Sequence, residues 1–293
     1  MQLVLLSDSY LPNKTSVARM IHELAVELMR QGHNVMIVTS TREIAKAIHV
    51  EECDGIRICR VNAGKGDHIS RVSRAFAELA LPFVVWRSAS KEIIKFTPDI
   101  VVSYSPTIFW GFLVWKIKRA SGCRAYLVLR DIFPKWMADI GLISKYNPAF
   151  LFFCGVERFQ YWVADRIGVQ SPSNLDYFSK FPQLTEKVEV LWNWAADENP
   201  AGQFNAYRND LGLAGKTVFF YGGNMGVAQR MDRLLKLATA FASSSEVHFV
   251  LVGEGSERER LKRDAETLGL KNITILPPVA QDVFLQMLHD FDV

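Results

Sequence analysis

The chain has 293 residues, of which 49% are hydrophobic and 22% are charged, and its formal net charge is +3. This balance is typical of a folded globular protein and excludes a disordered or low-complexity chain. The net charge is too small to indicate nucleic-acid binding, so no nucleic-acid partner is expected. The length suggests two domains of about 150 residues each.

Basic and aromatic residues concentrate in one region. Residues 65–135 contain twelve Lys or Arg against five Asp or Glu, and large aromatic side chains crowd the same region and its flank. Basic residues interleaved with large apolar ones suit a membrane surface or an anionic amphipathic ligand. A buried core with a solvated face explains the same pattern equally well, so both interpretations stay open here.

The cysteines and the apolar runs restrict the cellular setting. The four cysteines show neither CxxC nor the Cys/His spacing of a metal site, which is typical of reduced thiols in a cytosolic protein. No basic segment precedes the first predicted strand, which argues against a signal peptide. The longest apolar runs, residues 108–115 and 149–156, are shorter than the roughly 20 residues that span a bilayer. Any membrane contact is therefore expected to be peripheral.

Short runs rich in Val, Ile and Leu alternate with helical patterns along the chain. In the first part they predict buried strands of a parallel sheet at residues 3–7, 35–39, 56–61, 100–103, 125–129, 166–169 and 188–191. The first crossover predicts a helix with Thr15 or Ser16 as its N-cap and Gly32 at its C-terminal end. A strand, a helix and a second strand in this order predict a right-handed βαβ unit.

A polar segment with Pro and Gly, residues 197–202, predicts a linker. We therefore expect an N-terminal domain over residues 1–197 and a second domain over residues 203–293. The second series predicts strands at residues 218–221, 247–252 and 273–276, and helices at 231–242, 256–268 and 281–289. In the second of these helices, Ser256 and Glu259 have the spacing of a capping box.

The last residues, 291–293, resemble the entry to a further strand. Three strands are few for a doubly wound sheet, since the mean sheet has about five or six. We therefore expect the second domain to be incomplete and the natural protein to continue past Val293.

The segment YGGNMG at residues 221–226 follows a predicted strand and precedes a predicted helix. Glycines there allow the backbone to approach a phosphate, and a helix N-terminus supplies free N–H groups and a partial positive charge. Arg230, at the predicted start of that helix, is placed to neutralise a diphosphate. A tight turn of any Rossmann-like domain explains the glycines equally well. The first loop, DSYLP at residues 8–12, lacks GxGxxG, which disfavours a nicotinamide-dependent oxidoreductase.

Further candidates follow other predicted strands. Gly253 and Glu254 occupy the equivalent loop one unit later, and Arg130 and Asp131 follow the strand at residues 125–129. The Arg130–Asp131 pair is either part of a site or a structural ion pair. Asn193, which follows the predicted strand at residues 188–191, either lines a cleft between the two domains or forms a hinge contact. No Ser/His/Asp arrangement is evident, as in a transferase that works by positioning and charge stabilisation.

Taken in order, these segments resemble the GT-B glycosyltransferases of family four, in particular the branch that builds bacterial surface polysaccharide. The resemblance covers essentially the whole chain, and within the branch it is strongest to the L-fucosamine (N-acetyl-L-fucosamine) transferases of O-antigen and lipopolysaccharide synthesis. It rests on the segments SDSYLP at 7–12, GHNV at 32–35, GVQSP at 168–172, LWNW at 191–194, YGGNMG at 221–226, LVGEG at 251–255 and FDV at 291–293.

The resemblance implies an α/β GT-B fold, in which two Rossmann-like parallel-sheet domains face each other across a cleft. It implies a retaining hexosyltransferase that needs no metal or other cofactor. The C-terminal domain would bind a nucleotide-sugar that carries an amino-deoxy sugar, and the N-terminal domain would bind an undecaprenyl-diphosphate-linked glycan. Such an enzyme is expected in the cytoplasm, peripheral on the inner face of the cytoplasmic membrane.

The resemblance also implies roles for individual residues. Gly223, Asn224 and Arg230 would hold the diphosphate, Gly253 and Glu254 would lie near the nucleotide, and Pro278 or Val279 would lie beside the base. Asp131 would be the catalytic residue that shapes the cleft near the reacting sugar. Thr15, Ser16, Arg130 and Asn193 would lie on the acceptor side.

Two departures from the family pattern matter. Thr15 and Ser16 stand where the family often has paired glycines, so phosphate contact by that backbone is not expected. The family's two glutamates, seven residues apart, would lie beyond Val293, so these 293 residues alone are expected to be nearly inactive. The alternatives are a nucleotide-sugar epimerase of GT-B fold and a non-catalytic module that binds a glycan or a partner enzyme.

Overall fold

The computed structural model describes residues 1–13, 15–64, 71–105, 107–139, 141, 143–196 and 206–293. The chain divides into two compact units, Met1–Ala196 and Asp197–Val293. Each unit has its own sheet. The linker predicted at residues 197–202 lies outside the described residues.

The first unit contains an eight-stranded sheet of order β3-β4-β2-β1-β5-β6-β7-β8. Every neighbouring pair is parallel except β3 with β4, which is antiparallel. The strands are β1 Gln2–Ser7, β2 Asn34–Thr41, β3 Ile48–Cys53, β4 Ile56–Asn62, β5 Ile100–Tyr104, β6 Arg124–Leu129, β7 Arg166–Val169 and β8 Val188–Val190. The predicted parallel sheet is confirmed, and the antiparallel edge strand β3 was not predicted.

Helices cover both faces of this sheet. Because strand side chains alternate between faces, Val4 and Leu6 of β1 pack in one core with α2 and α3, while Leu5 packs in a second core with α1. The helices of the unit are α1 Ser16–Arg30, α2 Arg71–Lys95, α3 Trp110–Ser121, α4 Lys135–Asp139, α5 Pro148–Val163, α6 Pro172–Phe178 and α7 Pro182–Thr185. Within the described ranges, no helix is both long enough and apolar enough to cross a membrane.

The predicted ends of α1 are confirmed. The Thr15 hydroxyl accepts a hydrogen bond from the N–H of Ala18 at 3.2 Å, as an N-cap residue does. Gly32 follows the helix with φ +82°, a left-handed conformation that glycine adopts without steric cost.

The second unit has a three-stranded parallel sheet of order β11-β10-β9. Its strands are β9 Thr217–Gly222, β10 Val247–Val252 and β11 Ile273–Leu276, and its helices are α8 Ala206–Asp210, α9 Asp232–Ala240, α10 Arg258–Thr267 and α11 Gln281–Asp290. Along the edge of β9 that does not pair with β10, the N–H of Phe220 donates to the carbonyl oxygen of Val293 at 2.7 Å.

One predicted helix start in this unit is confirmed and one is wrong. α9 begins at Asp232, one residue after the predicted start, and a 3-10 turn, Val227–Gln229, lies before it. The predicted capping box is not formed, because α10 begins at Arg258 rather than at Ser256, and its N-cap, Glu257, makes no side-chain cap hydrogen bond. A turn takes up Ser256 and Glu257, which the pattern assigned to the first helical turn.

Candidate functional site

In the first unit, polar residues that follow three neighbouring strands meet at one edge of the sheet. The carboxyl ends of parallel strands lie at the same edge, which is where ligands bind in open α/β sheets. The Ser105 hydroxyl, after β5, accepts the N–H of Arg130 at 3.0 Å, and the Gln170 side chain, after β7, donates to the carbonyl oxygen of Arg130 at 3.0 Å. The backbone that carries Arg130 and Asp131 is thus fixed from both sides. Ser105 and Gln170 were not predicted.

The Arg130 side chain is the centre of this edge. Its Nη1 donates to the side-chain oxygen of Asn193, and its guanidinium lies 5.7 Å from the centroid of the Tyr104 ring. The same Nη1 contacts the sulfur of Met20 at 3.5 Å. The structure therefore brings together Arg130 and Asn193, two of the predicted acceptor-side residues. Between the two described side chains of Arg130 and Asp131 no ion pair is formed, so Arg130 takes Asn193 as its partner instead.

Tyr104 connects this cluster to Asp131. Burial raises the pKa of the Tyr104 phenol; the Arg130 guanidinium opposes that rise, and the carboxylates of Asp131 and Asp8 add to it. Trp194 packs edge-on against Tyr104 with ring centroids 6.4 Å apart, and its indole N–H donates to the carbonyl oxygen of Met20 at 2.9 Å. The Asp131 side chain is exposed. A carboxylate and an arginine thus lie close to a buried phenol at the sheet edge.

Thr15 and Ser16 lie at the start of α1, after the loop that follows β1. Besides capping the helix, the Thr15 hydroxyl lies 2.9 Å from the hydroxyl of Ser9. Ser16 is exposed as the first residue of the helix. The loop is held on its other side by Arg60, whose Nη2 donates to the carbonyl oxygen of Leu11 at 2.6 Å. Thr15 has a clear structural role here, and an acceptor-side role stays a prediction for both residues.

In the second unit, the loops after β9 and β10 lie against each other, backbone to backbone. We call residues 223–226 and 253–256 the glycine loop pair. The N–H of Gly223 donates to the carbonyl oxygen of Val252 at 2.9 Å, and the N–H of Met225 donates to that of Glu254 at 2.6 Å. A Cβ atom on Gly253 would lie 1.9 Å from the carbonyl oxygen of Gly223. Glycine at residue 253 is thus required by the neighbouring loop.

The outer side of the glycine loop pair is open. Gly223 has φ +152°, and a Cβ atom there would meet only the Tyr221 ring, at 3.7 Å from its hydroxyl. That hydroxyl donates to the carbonyl oxygen of Asn224 at 2.8 Å and so holds the turn. Among the described residues, none accepts the N–H of Asn224. The space beside Gly223 is therefore open, and the neighbouring N–H of Asn224 has no acceptor among the described residues, two features that suit an anion site.

Arg230 is exposed and has a left-handed backbone, with φ +51°. This conformation is uncommon for a residue other than glycine, and such strain is often found at functional sites. The Nε atom lies 3.3 Å from a carboxylate oxygen of Asp232, and that bond lowers the pKa of Asp232. Arg230 stands after the 3-10 turn and before α9, so its predicted place at the helix start is corrected. It directly follows Gln229, whose side-chain oxygen lies 3.5 Å from the Asn224 amide nitrogen.

The remaining predicted donor residues lie along the same edge of the second sheet. The side chains of Glu254 and Pro278 are exposed, while Val279 is half-buried against the core of the unit. Among the described residues, there is no group of three or more His, Cys, Asp or Glu side chains with the placement of a metal site. The structure therefore gathers most of the predicted donor residues at one edge, and their roles stay predictions.

Comparison with known proteins adds independent findings. The model of the family described as Glycosyltransferase Family 4 matches residues 17–197. The chain is 22% identical to the putative colanic acid biosynthesis glycosyl transferase WcaI of Escherichia coli K12, over 98% of this chain and 74% of that protein. It is also 22% identical to a GDP-mannose-dependent alpha-mannosyltransferase of Mycobacterium tuberculosis, over 89% of this chain and 65% of that protein.

Solved structures give the same fold. WaaG, a glycosyltransferase involved in lipopolysaccharide biosynthesis, has a TM-score of 0.67 at 15% identity, over 99% of this chain and 73% of that one. HepE of Anabaena, in complex with UDP and glucose, has a TM-score of 0.63 at 14% identity, over 100% of this chain and 72% of that one. At these identities the likeness shows the fold alone. The predicted α/β fold of GT-B type, with parallel sheets, is confirmed.

Proposed function

The chain belongs to Glycosyltransferase Family 4, and from this premise we propose that it moves a sugar from a nucleotide-sugar donor onto a lipid-linked glycan. The observation that supports this most is the glycine loop pair, which is open at Gly223 and in which the N–H of Asn224 has no acceptor among the described residues. Backbone N–H groups and an arginine at the end of a parallel sheet suit a diphosphate. Gly223, Asn224 and Arg230 hold that diphosphate in this proposal.

In the same proposal the nucleotide lies along the second sheet edge. Glu254 is near the nucleotide, and Pro278 or Val279 lies beside the base. The relatives support a nucleoside diphosphate donor, since one is named GDP-mannose-dependent and HepE holds UDP. The donor sugar that we propose, an amino-deoxy sugar, rests on the sequence resemblance, as do retention of configuration and a reaction without a metal.

The acceptor side of the proposal is the edge of the first sheet. Arg130 and Asn193, which contact each other there, bind polar groups of the acceptor, with Thr15 and Ser16 nearby in the first loop. Asp131 acts at the reacting sugar. An undecaprenyl-diphosphate-linked glycan is the proposed acceptor, because WcaI is named for colanic acid and WaaG for lipopolysaccharide. The proposed place of action is the cytoplasmic face of the inner membrane.

The donor half of the proposal is tested by the binding of UDP and GDP in isothermal titration calorimetry. Arg230→Ala should weaken binding of the preferred nucleotide about tenfold to a hundredfold, because a hydrogen bond to a charged group contributes about 1.5–3 kcal/mol. Arg233→Ala is the matched control, since Arg233 is also exposed but lies on α9. Equal affinities for both variants would contradict the assignment of Arg230.

The two alternatives predict different outcomes in the same samples. An epimerase converts the nucleotide-sugar into an isomer without any acceptor, which proton NMR of the donor alone would detect. A non-catalytic glycan-binding module binds neither UDP nor GDP. Binding of one nucleotide, sensitive to Arg230→Ala, with no isomer formed, is the result that the transferase predicts.

A further inference from the structure

An apolar pocket opens on the first unit between α2, α3 and α5. Its volume is about 450 Å³, and every side chain that lines it is apolar, among them Phe83, Phe112 and Phe152. The volume falls within the range of about 300–1,000 Å³ that small-molecule sites occupy. Such sites ordinarily carry a few polar groups that orient the ligand, and this pocket has none. Its chemistry therefore fits a hydrocarbon chain rather than a sugar or a nucleotide.

Gly155 keeps this pocket open without any structural need for a glycine. It lies inside α5, where glycine is less favourable than alanine because it loses more backbone entropy on folding. A Cβ atom on Gly155 would meet no atom within 4 Å. By contrast, a Cβ atom on Gly111 of α3 would lie 3.0 Å from the Cα of Gln160, so close helix packing explains that glycine. The missing side chain of Gly155 serves the pocket.

The rim of the pocket is an exposed apolar surface. Phe83 is 52% exposed, Leu151 is 60% exposed and Phe152 is 50% exposed. Adjacent exposed side chains of this size mark interaction sites for proteins, membranes or ligands. A lipid is the occupant that fits both the apolar pocket and this rim.

Cations flank the rim at helical spacing. Phe83 and Phe112 stack with ring centroids 4.2 Å apart, and each is followed four residues later on its own helix by a cation, Arg87 and Lys116 respectively. The Lys116 ammonium lies 5.6 Å from the centroid of the Phe112 ring. Two cations beside an exposed ring, Phe83, and a half-buried ring, Phe112, are complementary to an anionic lipid surface.

A series of ring contacts leads from the wall of the pocket to the segment that follows β6. Phe152 contacts Phe153 with ring centroids 5.6 Å apart, and Phe153 contacts Phe133 at 5.3 Å. Phe133 lies two residues after Asp131, in the segment that follows β6. These contacts give the direction from the pocket toward Asp131.

We propose that this pocket binds the hydrocarbon chain of the lipid-linked acceptor, with the sugar-bearing head directed toward Asp131. The proposal rests on the proposed transferase function, because it names the part of the acceptor that the first unit holds. The family assignment alone does not identify this pocket, whose evidence is its apolar lining, the unneeded glycine and the contact through Phe153.

The test uses farnesyl phosphate as the probe in isothermal titration calorimetry. Gly155→Trp should fill the pocket and weaken binding of farnesyl phosphate at least tenfold, while Gly155→Ala, which adds one methyl group in open space, should bind it as the unchanged chain does. A second pair avoids any dependence on the folding of Gly155→Trp. Phe152→Ser removes part of the pocket wall and should also weaken binding, whereas Tyr146→Ser changes an exposed ring, 92% accessible, outside the pocket.

Three outcomes would overturn the proposal. The first is equal binding of farnesyl phosphate by the Trp and Ala variants of Gly155, with Phe152→Ser also unchanged. The second is loss of binding to phosphatidylglycerol vesicles in parallel with farnesyl phosphate, which would make the pocket a general bilayer anchor. The third is binding of UDP or GDP without any binding of farnesyl phosphate, which refutes the pocket and leaves the transferase proposal standing. Failure to bind either nucleotide would instead count against the transferase proposal.

Discussion

Replacing Gly253 with alanine is expected to separate the two loops of the glycine loop pair. The added Cβ atom would lie 1.9 Å from the carbonyl oxygen of Gly223, and Gly253 has φ +147°, which side-chain-bearing residues rarely adopt. The clash is with backbone rather than with the end of a flexible side chain. The loop after β9 must therefore move, and the N–H of Asn224 moves with it.

The size of the effect follows from two costs. Backbone strain of this kind costs about 1–3 kcal/mol, and inserting an extra carbon into a well-packed site costs about 1–3 kcal/mol. The expected loss of unfolding free energy is therefore about 2–6 kcal/mol, a large part of the roughly 5–15 kcal/mol of a small domain. Gly269→Ala is the matched control, because Gly269 has φ +62° but a Cβ there would meet no atom within 4 Å. It should cost only about 1–2 kcal/mol.

The tryptophans provide a built-in reference for the assay. All seven lie at or before residue 194, so tryptophan fluorescence reports on the first unit alone, while far-UV circular dichroism reports on both units. In urea titrations, Gly253→Ala should shift part of the circular dichroism transition to lower urea and leave the fluorescence transition unchanged. Its affinity for UDP or GDP should fall, whereas Gly269→Ala should keep it. Indistinguishable stability and nucleotide affinity in the two variants would refute the reasoning.

Two further predictions concern the first unit. Burial raises the pKa of Glu157 from 4.5 to about 7, so the folded state holds this proton more tightly than the unfolded state. The resulting stability is present below pH 4.5 and is lost as pH rises through 7. The unfolding free energy should thus fall by about 2.5 kcal/mol between pH 5 and 8 in the unchanged chain. In Glu157→Gln, urea titrations followed by tryptophan fluorescence should show no such fall. In the same assay, Thr15→Ala should lower the unfolding free energy by about 1 kcal/mol because the helix cap is lost, whereas Ser16→Ala should leave it almost unchanged. Equal effects of the two substitutions would show that Thr15 is not the cap.

The sheet was predictable from the sequence where strands are buried on both faces. Such strands read as continuous apolar runs, as in β1 and β6. β3 was missed because its sequence, IHVEEC, leaves most of its side chains exposed or half-exposed at the sheet edge. The Asp54-Gly55 pair between β3 and β4, with φ +53° and +75°, was the available signal for a hairpin.

The aromatic, basic region shows why composition alone left two interpretations open. Trp110 is 1% exposed and packs in the core beneath the sheet, whereas Phe83 and Phe152 lie at the surface beside the pocket. The core interpretation is confirmed for Trp110, and contact with a membrane or an amphipathic ligand stays a prediction for the exposed rings. The buried and the exposed aromatic side chains can be told apart only from the helical period together with the packing of α2, α3 and α5.

At the acceptor edge, the rule that found Arg130 and Asn193 also applies to residues that were overlooked. Ser105 directly follows β5, and Gln170 directly follows β7, so both stand at carboxyl ends of strands. Their roles in fixing the Arg130 backbone were not predicted because neither has the charge that drew attention to Arg130 and Asp131. Uncharged polar residues at the carboxyl ends of strands therefore indicate the edge of the sheet as well as charged residues do.

Four glycines of this chain differ in a way that bears on both proposed ligands. Gly253 and Gly255 are required by the chain itself, since Cβ atoms there would lie 1.9 Å and 2.3 Å from carbonyl oxygens of the neighbouring loop. At Gly223 and Gly155 the side-chain direction is open. The sequence pattern explained the loop glycines by the approach of a phosphate. The structure accounts for Gly253 by loop packing, and the approach of a phosphate stays a prediction for Gly223. Open glycines with a positive φ, such as Gly269, are accounted for by their backbone, whereas Gly155 lies inside α5, where no contact within the protein explains the missing side chain. The open space beside Gly155 is therefore an argument for the proposed binding of the acceptor lipid.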